Sequence, residues 1–366
     1  MKLILSLKDL PARSNCQGDR FAGIRCFAIL WVLFHFMGSN SQINAETSVA
    51  GIVWEAAVLS EGDYSGAVEA LFQTYEGEPN KKDALKPQAS RKVGIKVNCR
   101  NGVGLSTPHG LIRSVINALE KRGFERSSIL IVDRDSYALR LAGILPSLTV
   151  KDLLFEGCPV LALDTNEYFA PDWFYDSPLP SQFMAKESAS FSKGSSEVSD
   201  ADRKSFLPIP LMFEVDFWIN LPVGCDDPAL GVDGALANMT LWNVSNSRRF
   251  LVNQATASAA VAEIAAIPEL VAGAELHLMP MDYYQFIGGP SYNSLYTDSK
   301  PVLRLSADPV ALDRLLIEDL NEQRRVSGFP EIIPLPQQLS FAASLGLGVF
   351  KMDAIEIRKV SIENLY

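Results

Sequence analysis

Residues 93–133, VGIKVNCRNGVGLSTPHGLIRSVINALEKRGFERSSILIVD, decide the fold class. Val93, Ile95 and Val97 alternate as on a strand. Leu111, Ile112, Val115, Ile116 and Leu119 then share one helical face, and Ile129–Val132 is a short apolar run of the kind that forms a strand buried on both faces. Working outward, Tyr64, Val68, Leu71, Phe72 and Tyr75 predict a preceding helix. Downstream the pattern predicts a short helix near Val150–Phe155, strands at Val160–Leu163 and Phe213–Leu221, and helices around Ala235–Trp242 and Ser258–Ala266. Strands at Leu276–Met281 and Val302–Leu305, a helix at Pro309–Arg325 and a strand near Ile355–Val360 complete it. Such alternation predicts an α/β fold, a mostly parallel sheet flanked by helices. Residues 165–207, rich in Pro, Ser and aromatic residues without apolar periodicity, read as a loop or lid insertion; Tyr168, Trp173, Phe174 and Tyr175 are its candidates for closing over a ligand.

A chain of 366 residues that is 48% hydrophobic can bury a sizeable core, which excludes fibres and low-complexity polymers. Its formal charge of −10, without a cluster of Lys and Arg, argues against nucleic acid as a partner. The N-terminus is the exception to this acidity. Lys2, Lys8, Arg13, Arg20 and Arg25 precede the apolar run Cys26–Met37, and a polar stretch then ends at the small residue Ala45. Residues 1–45 therefore read as a signal peptide, leaving 46–366 as a single α/β domain exported to the periplasm or beyond, with no stable membrane span after cleavage. The alternative is anchoring by residues 26–37, although a run of about 12 residues is short of the roughly 20 that span a bilayer.

Cys99, Cys158 and Cys225 remain in the mature chain, with no C-x-x-C spacing and only His109 and His277 beside them. An iron–sulfur cluster or a Cys/His zinc site is therefore not expected. One disulfide plus a free thiol and three buried thiols are equally compatible with this count.

In open α/β sheets ligands bind beyond the carboxyl ends of the strands, and here those ends carry short acidic and amide side chains. Asn98 and Gly102-x-Gly104 follow the first predicted strand, Asp133-Arg134-Asp135 the second and Asp164 the third. Asn220 leads to Asp226-Asp227, Asp282 follows Met281, and Ser306 and Asp308 follow Leu305. Converging, such groups can hold a divalent cation or hydrogen-bond a small polar ligand; singly, they are the preferred helix caps. Asp133, Asp282, Asp308 and Asp313 are the candidate cation contacts. Lys96, Asn98, Thr107, Asn220 and Asn238 are the candidate ligand contacts. Lys96 lies in an apolar strand, where a charge needs either a ligand or a buried partner. Thr107-Pro108 and Asp308-Pro309 each place a capping residue before a proline suited to a first helical turn.

Together these residues resemble the domain of unknown function 362 family. The similar stretches are 93–98, Thr107-Pro108 through Asp133, 216–222, 234–238, Asp282 to Pro290 and Ser-Ala-Asp-Pro-Val-Ala-Leu-Asp at 306–313. The resemblance implies an α/β fold, often carrying a ferredoxin-like iron–sulfur segment that this chain lacks. It also implies a basic run after Asn-Leu-Pro, where Val223-Gly224-Cys225-Asp226-Asp227 stands here, and a Lys where Ala237 precedes Asn238. The expected function is that of an exported protein with a polar strand-end site, either a cation-assisted enzyme on a small polar substrate or a non-catalytic ligand-binding or accessory protein of a redox or surface system.

Overall fold

The computed structural model describes residues 50–165, 168–177 and 203–362. Residues 1–45 and the middle of the 165–207 segment lie outside them. In chain order the strands are β1 (Ile52–Ala57), β2 (Val93–Lys96), β3 (Ile129–Asp133), β4 (Leu154–Phe155), β5 (Cys158–Ala162), β6 (Phe169–Asp176), β7 (Lys204–Pro208) and β8 (Phe217–Asn220). They continue as β9 (Cys225–Asp227), β10 (Gly231–Asp233), β11 (Ala274–Pro280), β12 (Tyr284–Gln285), β13 (Thr297–Asp298), β14 (Val302–Ser306) and β15 (Glu356–Val360). The helices are α1 (Ser65–Glu76), α2 (His109–Lys121), α3 (Ser136–Leu141), α4 (Ala235–Met239), α5 (Gln254–Ala265), α6 (Pro268–Val271), α7 (Pro309–Val326) and α8 (Gln337–Ser344).

Nine strands form the central sheet in the order β15-β1-β14-β11-β8-β2-β3-β5-β4. The run β11-β8-β2-β3-β5 is parallel throughout, and β1 pairs with β15 in parallel. Antiparallel pairing brings in β14, which lies between β11 and β1, and β4 at the edge. Helices cover both faces, which is why the central strands carry almost no polar residues except at their carboxyl ends. Ile95, Ile219, Leu278 and Leu305 pack toward Leu71 of α1 and Ile112 of α2 on one face. Val132, Trp218 and Met279 pack with Leu236 of α4, Val261 of α5 and Leu316 of α7 on the other. The described residues belong to one compact unit, and none of their helices is long and apolar enough to cross a membrane.

Three local expectations are corrected. No helix forms near Val150–Phe155. Glu156 (φ 51°) and Gly157 (φ 80°) both take the left-handed backbone of a tight two-residue hairpin, so Phe155 pairs with Cys158 at the sheet edge. The flanks of the 165–207 segment are not loop: β6 and β7 pair antiparallel as a separate ribbon. Its aromatic residues hold that ribbon down, Trp173 packing on Phe213 and Tyr175 on Phe250, while the buried Arg249 guanidinium reaches Ser205 Oγ and the Ser177 carbonyl. The strand expected at Phe213–Leu221 begins only at Phe217, because Pro210–Glu214 forms a wide helical turn.

Candidate functional site

Lys96, Asn220, His277 and Ser306 are in register with one another across β2, β8, β11 and β14, so they form one polar row through an otherwise apolar sheet. All four are buried. The Lys96 ammonium donates to Asp133 Oδ1 at 2.8 Å, to Asn238 Oδ1 at 2.8 Å and to the Val97 carbonyl at 2.5 Å. Asn238 Nδ2 donates to Asn220 Oδ1 at 2.7 Å, and Asn220 Nδ2 donates to the Ala235 carbonyl and to His277 Nδ1, each at 2.9 Å. Every donor in this chain thus points from Lys96 toward His277, which makes His277 Nδ1 an acceptor and the ring neutral. Three donor hydrogens match three acceptors at Lys96, so the expected ligand contact is instead a buried, fully bonded ion pair.

Asp133 extends the network to the strand ends. Its two oxygens accept the N–H of Cys99 at 2.9 Å and of Arg134 at 2.8 Å, which starts the loops after β2 and β3 in fixed positions. Thr107 does not cap α2, whose first turn is preceded by Pro108 without a side-chain cap. Its hydroxyl accepts the Asn98 N–H and donates to the Leu221 carbonyl, both at 2.8 Å, stitching the ends of β2 and β8 together where the strand order reverses. Asn98 Oδ1 accepts the Arg100 N–H at 3.2 Å, and its buried Nδ2 has no hydrogen-bond partner.

The four carboxylates expected around a cation have separate duties. Asp308 caps α7 through the Ala311 N–H at 2.9 Å and also accepts the N–H groups of Gly51 and Val349, each at 2.8 Å. Asp313 accepts the N–H groups of Ala235 at 2.6 Å and Leu236 at 2.9 Å, at the start of α4. Asp282 accepts the Tyr64 hydroxyl at 2.6 Å. Among the described residues no group of three or more His, Cys, Asp or Glu is placed to hold a metal ion. Cys99, Cys158 and Cys225 are free and buried, and His109 Nε2 bonds the Ala142 carbonyl at 2.7 Å.

What does open to a ligand at the strand ends is a trough lined by arginines. A hollow of about 310 Å³ is lined by Cys99, Arg100, Arg134, Trp242 and Arg248 among others, and one of about 340 Å³ by Arg134, Asp164, Ser247 and Arg248 among others. Arg134, Asp135 and Arg248 are common to both hollows. Trp242 is the platform: its Nε1 donates to Asp233 at 2.8 Å, and the guanidinium carbons of Arg100 and Arg134 lie 3.7 and 5.4 Å from the indole centroid. Asp233 also accepts from Arg100 at 2.5 Å. Arg134 donates to Ser247 Oγ and weakly to the Leu241 carbonyl. Burial lowers the Arg134 pKa, the like charges of Arg100 and Arg248 push the same way, and Asp133 and Asp135 oppose them. Arg248 is exposed and its guanidinium has no partner among the described residues. Asp135 and Asp164 are occupied with the N–H groups of Ala138 and Ser136.

These arginines and Trp242 are absent from the sequence-based candidates. Arg134 stood in view between two aspartates at a strand end, the one usable signal. Arg248 and Trp242 come from an irregular stretch whose spacing says nothing of its placement. No family model matches the chain, and no curated protein matches it.

The buried row gives a pH signature. Burial pushes the His277 pKa down to about 3, so the unfolded chain takes up a proton below the ordinary histidine value near 6.5 that the folded chain refuses, and stability is lost as pH falls from there toward about 3. Asp313 runs the other way. Burial, with help from Asp233 and Asp308, raises its pKa to about 7 against its two N–H bonds. Its folded form therefore keeps a proton that the unfolded form has lost, and that contribution disappears as pH rises from about 4 to about 7. Urea unfolding at several pH values should show a shallower acid-side loss in His277→Gln than in the wild type. The deficit of Asp313→Asn should shrink from pH 4.5 to pH 7.5; pH-independent differences would refute both assignments.

Proposed function

We propose that this chain is an exported α/β protein that binds a small polar ligand carrying an anionic group, in the arginine trough beyond the carboxyl ends of β2, β3 and β5. The observation that carries the reading is the convergence of Arg100, Arg134 and Arg248 on one trough beside Trp242. It is the more telling in a chain of net charge −10. Guanidinium groups with unspent N–H donors suit planar carboxylate or tetrahedral phosphate and sulfate oxygens. The second oxygens of Asp135 and Asp164, left over from their contacts with Ala138 and Ser136, supply acceptors for hydroxyl or amide groups elsewhere on the ligand.

Binding rather than cation-assisted catalysis is favoured because Asp308 and Asp313 are spent on backbone N–H groups and Asp133 on Lys96. The charged N-terminus followed by Cys26–Met37 supports export, and the stretches at 93–98 and 306–313 support a distant kinship with the domain of unknown function 362 family. In a thermal-shift panel at low ionic strength, phosphate, sulfate and citrate should stabilise the wild type, and chloride at matched ionic strength should not. Arg248→Gln should remove most of the shift without altering the unliganded midpoint, because its side chain is exposed. Equal shifts in both proteins would contradict the reading.

A further inference from the structure

A third hollow, of about 660 Å³, lies beyond the carboxyl ends of β1 and β11 and is built from opposite chemistry. Its walls include Val58, Leu59, Tyr64 and Tyr283, and its only ionisable lining groups besides the tyrosines are Glu61 and Asp282. Leu59 is 77% exposed, a large apolar side chain left uncovered at the rim. Lys300, next in sequence to the lining residues Ser299 and Pro301, turns away to Asp319 at 3.2 Å. Among the described residues no cation neighbours Asp282. The Tyr64 hydroxyl holds one of its oxygens at 2.6 Å, the other is buried behind the wall of the hollow without a hydrogen-bond partner, and burial together with the Glu61 charge raises its pKa.

We propose that this hollow is a second binding site, for a small organic amine whose ammonium group sits beside Asp282 and Glu61 and whose short apolar body lies against Val58, Leu59 and Tyr283. The size fits a small molecule. Apolar and aromatic walls with one sign of charge select an ammonium on a hydrocarbon stem, since a carboxylate attracts the ammonium and the walls repay burial of the stem. Asp282 and Glu61 are two carboxylates, and among the described residues no group of three or more His, Cys, Asp or Glu is placed to hold a metal ion. The rim is preformed: a Cβ on Gly110 would stand 1.9 Å from the Gly62 carbonyl oxygen, so the turn carrying Glu61 is clamped against α2.

The site is independent of the arginine trough, and one titration series separates the two. Phenethylamine titrated calorimetrically into the mature chain at pH 7.5 should bind at least tenfold more tightly than phenethyl alcohol, its neutral counterpart. Asp282→Asn should weaken the amine at least tenfold and Glu61→Gln severalfold, whereas Arg134→Gln should leave it unchanged. Glu61 is exposed, so that variant keeps the test valid if Asp282→Asn fails to fold. Equal affinity for amine and alcohol, no amine binding, indifference to Glu61→Gln, or displacement of the amine by millimolar Mg²⁺ or Ca²⁺ would each overturn the proposal.

Discussion

Lys96→Met is expected to lower the unfolding free energy by about 3–5 kcal/mol, the usual loss when one partner of a buried ion pair is removed. Methionine fills similar space, so packing is largely kept. The electrostatic cost is not: Asp133 keeps its charge without the ammonium 2.8 Å away, and Asn238 Oδ1 loses its donor. The damage should also travel. Asp133 accepts the N–H groups that begin the Cys99 and Arg134 loops, so the variant should bind anions more weakly even where it is still folded. Adding Asp133→Asn removes the stranded charge, and the double variant should be less destabilised than the sum of the singles. Equilibrium urea unfolding of the four proteins measures this; strict additivity would mean that Lys96 and Asp133 are not coupled.

Asp308→Ala is expected to remove about 3 kcal/mol. One carboxylate satisfies N–H groups from three separate parts of the chain: Gly51 just before β1, Ala311 in the first turn of α7, and Val349 in the segment before β15. Losing a helix cap alone costs typically about 1 kcal/mol, and each further buried N–H left unpaired adds about 1–3 kcal/mol, less where water can reach it. Asp308→Asn keeps one good acceptor and should fall between the two. Hydrogen exchange read by NMR should show the Gly51 and Val349 amides losing protection together in Asp308→Ala. Loss confined to Ala311 would reduce Asp308 to an ordinary cap.

Much of the fold was legible because strand and helix periods are written in apolar residues. Ile129–Val132 and the α2 face Leu111, Ile112, Val115, Ile116 and Leu119 appear as read. The failures have physical causes. The two-residue strand β4 is too short to carry a period, and its turn depends on a left-handed Glu156 that no composition rule anticipates. The β6–β7 ribbon pairs residues whose partners are separated by a long stretch, and a proline at 171 hides the strand.

For the site, residue type was legible and role was not. Asp133, Asp308 and Asp313 do stand at strand ends and helix starts, but an aspartate that caps and one that binds a ligand look alike in sequence. What separates them is the count of N–H donors on each carboxylate, three for Asp308 and two for Asp313. Lys96 meets Asp133 because strand register sets it opposite Val132, and it meets Asn238 because α4 packs over the sheet. Arg100, Arg134 and Arg248 come together only in the folded chain.

Calorimetric titration of pyrophosphate into the wild-type protein and into Arg134→Gln tests most directly whether the arginine trough binds the anionic part of a small ligand. The prediction is a saturable one-to-one isotherm for the wild type, weakened at least tenfold in the variant and steeply by added salt. A flat wild-type titration, or an isotherm that Arg134→Gln leaves unchanged, would contradict it.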